Sequence, residues 1–216
     1  MDWFDKSPYD FLYTERAINS AAQNGKIDVL NWFDKSNHDF IYTIDAINYA
    51  ANVSILDWFD KSKYDFLYTE RAINSAARNG KIDVLDWFDK SDHDFIYTVD
   101  AINYAENDSV LDWFDKSGYE FKYTSQVINI AYRYNRGSII RWFAVSKYEL
   151  DYNDAYHQKV IKWCRKVTNI IEQPLKNKSI ADTYEYSLKN KHIIKTLCIV
   201  CIHVLLFCFL VKKFDK

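Results

Sequence analysis

Cysteine is missing from the first 163 residues; all four, Cys164, Cys198, Cys201 and Cys208, fall near the C-terminus. No disulfide framework can therefore staple the bulk of the chain, which suits a reducing compartment. Neither sign of charge dominates: 28 basic and 30 acidic residues leave a net charge of −2. Without a global field to draw in a polyanion, a nucleic-acid partner is not expected. The opening Met1-Asp2-Trp3 lacks a basic-then-apolar signal, so secretion is not expected either. Proline and glycine number only two and four, beside abundant Asn, Lys, Ile, Tyr, Phe and Asp, a bias that an AT-rich genome produces. What is plentiful is apolar: 49% hydrophobic residues exclude wholesale disorder, and 18% aromatics point to an aromatic core.

The chain is a tandem repeat. Trp3, Trp32, Trp58, Trp87, Trp113 and Trp142 are spaced by 29, 26, 29, 26 and 29 residues, giving a larger unit of 55. Fixed periods of this size signal stacked repeat architectures, and a 216-residue chain built this way reads as one elongated repeat domain. Residues 2–56 laid over 57–111 differ at eight positions: 8/63, 23/78, 31/86, 37/92, 44/99, 51/106, 53/108 and 55/110. Six of these exchanges involve polar or charged residues, and the other two keep a β-branched apolar residue. The varying positions read as solvent face and the fixed apolar ones as core.

Each full unit opens on Phe-x-Tyr-Thr, at residues 11–14, 40–43, 66–69, 95–98 and 121–124, which makes five units. The Thr hydroxyl can satisfy an orphan N–H of the following turn, and Glu15, Asp45, Glu70 and Asp100 oppose the positive helix end, so Thr marks a helix start. In that helix Ala17, Ile18, Ala21 and Ala22 form a stripe of small residues that lets a neighbouring helix come close. Asn24-Gly25 ends it. A second helix follows, with Ile27, Val29, Leu30, Trp32 and Phe33 covering more than one face, and Asp-Lys-Ser closes it. In the 26-residue units the Gly is lost and the turn between the helices is tightened. A helix pair of this size cannot bury a core alone, so stability must come from stacking.

Met1 falls where the equivalent block has Leu56, so the first half-unit is expected to start mid-helix and to be exposed or frayed. Beyond Trp142 the pattern decays. Residues 151–172 read as a helical cap to the array of residues 1–150, Gln173-Pro174 breaks it, and residues 173–192 read as a polar linker. Residues 193–211 are apolar all round, with Lys195 at one end and Lys212 and Lys213 beyond the other; nineteen helical residues span roughly 28 Å, close to the apolar thickness of a bilayer. A C-terminal transmembrane helix is expected there.

Ala76-Ala77-Arg78-Asn79-Gly80-Lys81-Ile82-Asp83-Val84-Leu85-Asp86-Trp87-Phe88 closely resembles the ankyrin repeat, whose helices carry Ala-Ala-x-x-Gly-His-x-x-Val-Val-x-x-Leu-Leu across the turn between them. Through its Trp-Phe and Phe-x-Tyr variant, the array looks most like the divergent ankyrin-like repeat proteins of giant DNA viruses. It departs from the family where Arg71-Ala72-Ile73-Asn74 replaces Thr-Pro-Leu-His, and its period of 29 or 26 shortens the connecting finger. The resemblance implies an all-α solenoid of stacked helix pairs, and a finger and first helices that grip a partner protein. The candidate contacts are Glu15, Tyr49, Glu70, Arg78 and Tyr104.

Catalysis needs a singular constellation, yet nearly every polar group of residues 1–120 has a twin 55 residues away. His38-Asp39 and His93-Asp94 read as turn residues rather than acid–base pairs, and Cys198-x-x-Cys201 with His203 and Cys208 reads as apolar filler rather than a zinc site. Arg133, Arg136 and Arg141 read as a solvated basic face. No catalytic residue, metal, cofactor or small-molecule substrate is expected. The expected function is a non-enzymatic protein-interaction scaffold, held by its C-terminus on a host-cell membrane and facing the cytosol. The alternatives are an adaptor that recruits a modifying enzyme such as a ubiquitin ligase through residues 150–190, a truncated copy with little function of its own, and a soluble cytoplasmic protein.

Overall fold

The computed structural model describes residues 12–149. The expected half-unit before residue 11, the cap at 151–172, the linker at 173–192 and the transmembrane helix at 193–211 lie outside the described residues. Among those described, the regular structure is helical and without strands, as ten helices. They run α1 Glu15–Gln23, α2 Ile27–Lys35, α3 Asp45–Asn48, α4 Val53–Asp60, α5 Arg71–Arg78, α6 Ile82–Lys90, α7 Val99–Asn103, α8 Asp108–Ser117, α9 Gln126–Arg133 and α10 Gly137–Val145. None of these helices is long and apolar enough to cross a membrane.

The odd-numbered helices pack on one another in chain order, α1 on α3, α3 on α5, α5 on α7 and α7 on α9; the even-numbered ones do the same from α2 to α10. The core runs continuously between the two rows. Ile18, Leu30, Ile47, Leu56, Phe59, Ile73, Leu85, Phe88, Ile102, Leu111, Phe114 and Phe143 are all at most 1% exposed. Of the expected small-residue stripe Ile18, Ala21 and Ala22 are buried and Ala17 is partly buried against the core, and α1 packs on α3. Thr acts as expected at the helix start, since Thr14, Thr43, Thr69 and Thr98 each accept from the backbone N–H two residues on. Ser after each second helix closes it twice over, as Ser36 does by donating to the Phe33 carbonyl at 3.0 Å and accepting from the His38 N–H at 3.2 Å.

Two turn chemistries alternate. In the 29-residue units Gly25 and Gly80 stand at φ +66°, and the N–H of the next residue returns to the first helix, Lys26 to Ala21 at 2.8 Å and Lys81 to Ala76 at 2.9 Å. Glycine is required there, because that left-handed turn penalises a Cβ. In the fifth unit Asn135 takes the same place at φ 56°, the conformation that asparagine tolerates best after glycine. The 26-residue units lack the loop, and their first helices shrink to four and five residues. Their second helices start instead on Asn52 and Asn107, whose side chains accept from Ile55 and Val110 N–H, both at 3.3 Å.

The division into solvent face and core needs three corrections. Position 55/110 varies between β-branched residues, yet Ile55 and Val110 are fully buried. Position 31/86 varies but is not simply solvent: Asn31 accepts the Trp58 indole N–H at 2.8 Å, and Asp86 accepts that of Trp113 at 2.7 Å. Exchanging amide for carboxylate keeps the acceptor oxygen, which is why the position can drift. Conversely, Leu67 and Ile96 are identical to their repeat partners Leu12 and Ile41, yet are 51% and 48% exposed.

Candidate protein-interaction surface

Several polar groups of each repeat bond to the next unit. Each tryptophan donates its indole N–H to the residue just before the preceding tryptophan: Trp58 to Asn31, Trp87 to Asp57, Trp113 to Asp86 and Trp142 to Asp112, all at 2.7–2.8 Å. Tryptophans one period apart therefore share neighbours. A second series joins the Asp after Trp-Phe to the aromatic ring of the next turn, Asp34 to Tyr64, Asp60 to His93, Asp89 to Tyr119 and Asp115 to Tyr148, at 2.8–3.0 Å. Those rings also stack, as His93 does on Phe66 at 4.1 Å and Tyr119 on Phe95 at 4.3 Å. His93 thus fills a tyrosine's slot as a ring and a hydrogen-bonding edge. Unit five breaks both series, for Arg141 and Ala144 stand where Asp86 and Asp89 provide acceptors.

On the first-helix side, Asn19, Asn48, Asn74 and Asn103 bond reciprocally with Thr43, Thr69, Thr98 and Thr124, the amide N–H₂ to the hydroxyl and the backbone N–H to the amide oxygen. Asn48 is 1% exposed, so this pairing is what lets an amide sit in the core. The tyrosine of each Phe-x-Tyr donates to a backbone carbonyl of the following turn, Tyr42 to Asp65 and Tyr68 to Asp94. Burial raises the pKa of these phenols, helped by the neighbouring acid; Tyr97, beside Glu120 and Tyr119, is pushed up to about 12. Asp34 and Asp115 are held below the usual carboxylate range, chiefly by hydrogen bonds from Lys63 and Lys147 and then from Tyr64 and Tyr148.

The five expected contact residues form two groups rather than one. Tyr49, Arg78 and Tyr104 lie at the C-terminal ends of first helices, and the Arg78 guanidinium sits 4.3 Å from the centroid of the Tyr104 ring, a cation–π pair across two units. Glu15 and Glu70 lie at the opposite ends; eight helical steps of 1.5 Å separate Glu70 from Arg78, about 12 Å. Arg136 is withdrawn from the expected solvated basic face: it donates to the Tyr104 and Ala105 carbonyls at 2.5 and 2.8 Å and pairs with Glu106. Among the described residues no three His, Cys, Asp or Glu side chains gather as a metal site.

What the repeat leaves over is the middle residue of Phe-x-Tyr. Leu12, Ile41, Leu67 and Ile96 are 89%, 45%, 51% and 48% exposed, one per unit at the same place, and in unit five Lys122 follows them with its ammonium 4.6 Å from the Tyr97 ring. The short units add Ile44 and Val99, 39% and 36% exposed. A signal for this row was present in the sequence. Extended backbone sends alternate side chains to opposite sides, so Phe and Tyr packing inward leaves x outside, and Lys122 marks x as a solvent position. Comparison of the chain with models of protein families, with characterised proteins and with solved structures gave no match, so the resemblance to ankyrin repeats stands on the motif residues themselves.

Proposed function

We propose that the chain is a non-enzymatic protein-interaction scaffold, an ankyrin-like α-solenoid whose partner lies along the row of exposed aliphatic side chains. That row is the observation that supports the reading. A side chain that costs free energy in water yet recurs at one place in four successive units, while the groups around it are spent on holding the units together, is available for a partner. The repeated polar groups offer no singular cluster for chemistry, and many of them bond to the neighbouring unit. The apolar run 193–211 serves in this reading as a tether to an intracellular membrane, with the array on the cytosolic side.

The test replaces Leu67 by a photoreactive residue in the full chain, and Lys90 on the second-helix side in a control. Illumination in cells should give a discrete protein adduct from position 67 and none from position 90. Equal labelling at both, or no adduct at 67, would sink the proposal.

A further inference from the structure

The charge around the aliphatic row says what kind of partner it fits. The three segments 39–45, 65–71 and 94–100, which contain Ile41, Leu67 and Ile96, hold six carboxylates and one cation, Arg71. Asp39, Asp65 and Asp94, each two residues before the exposed aliphatic, are themselves exposed; their backbone carbonyls serve the tyrosines while their carboxylates face water. Every step of the row thus offers one apolar side chain beside unneutralised acid. Helices packed side by side lie about 8–10 Å apart, which sets the step from one unit to the next. Two turns of an α-helix, seven residues at 1.5 Å, rise about 10.5 Å and return to the same face. A β-strand covers the distance in about three residues and so turns every second contact away.

Resting on the scaffold reading above, we infer that the row receives a cationic amphipathic helix of a partner protein, with an aliphatic residue at every seventh position and Lys or Arg beside it. The aliphatic side chains of that helix cover Ile41, Leu67 and Ile96 in turn, and its cations meet Asp39, Asp65 and Asp94. Lys122 closes the row by repelling a cation at a further step.

The probe is a synthetic three-heptad peptide of about 21 residues, leucine every seventh position and lysine beside it, titrated onto the full-length chain by fluorescence anisotropy. Binding should weaken as salt rises, fall at least about tenfold in the Leu67→Asp, Ile96→Asp double variant, and lose most of its salt dependence in the Asp65→Asn, Asp94→Asn double variant. Circular dichroism should show both variants folded, since all four side chains are exposed. The inference is overturned if a peptide of the same composition with leucines scattered round the helix binds equally well, or if neither double variant weakens binding. The two readings fail separately: no adduct at position 67 removes the scaffold, whereas a discrete adduct to a protein segment that is acidic or lacks the heptad removes only the cationic helix.

Discussion

The long and short units bury the same aromatic core but close their helix pairs by different means. A long unit closes itself, with glycine in a left-handed turn and the following N–H bonded back into its own first helix. A short unit adds to its own asparagine caps bonds to both neighbours. Ahead of it, Ala51 and Glu106 donate their N–H to the Ala22 and Ala77 carbonyls of the preceding long unit, both at 3.1 Å. Behind it, Lys81 caps the Ala50 carbonyl at 2.8 Å, and Arg136 caps those of Tyr104 and Ala105. The basic residue opens the second helix of the long unit without a side-chain cap, since an ammonium or guanidinium can only donate, and it donates to the neighbour's carbonyls. The short unit therefore leans on the long units on both sides of it.

Both kinds of unit bury a phenylalanine ring completely. Phe59→Ala in a short unit and Phe88→Ala in a long one should each cost about 3–5 kcal/mol, read by denaturant unfolding, since both rings are fully buried. A much smaller cost at Phe59 would mean that short units are less well packed than they look. Next, Lys81→Ala should cost about 1–3 kcal/mol by orphaning a helix-end carbonyl. Hydrogen exchange should quicken in residues 45–60 more than in the helix that Lys81 itself begins; the reverse pattern would show that the short unit does not depend on its neighbour. Gly80→Ala should cost about 1–2 kcal/mol for the left-handed backbone and more than Gly118→Ala, because a Cβ at 80 comes 3.2 Å from Asn107 Nδ2 while one at 118 meets nothing within 4 Å.

The smallest effect is alkaline. A tyrosine whose folded pKa lies above its ordinary value near 10 stabilises the fold fully below that pH and loses its contribution as pH rises through the folded value. For Tyr97 that window runs from about 10 to about 12. Stability measured across it should fall, and Tyr97→Phe should flatten the fall by more than Tyr68→Phe, which sits in a long unit.

The helical class and the helix starts were legible because they follow from local rules: Thr before an amphipathic run, Gly at a left-handed turn. The ladders were not legible, since nothing local says that Asp57 serves Trp87 thirty residues on; that register exists only once the helices stack. The contact surface was legible only in part. Identity between copies does not mean burial, since Leu67 and Ile96 are held constant yet exposed.

Arg141 and Ala144 give the array a direction of growth. Duplicating residues 57–111 would present the newcomer with an acceptor for each of its indoles and turn rings, so lengthening there costs nothing in matched partners. A copy added after the fifth unit would find a guanidinium and a methyl group where it needs two acceptors, and such an array lengthens by insertion rather than by extension.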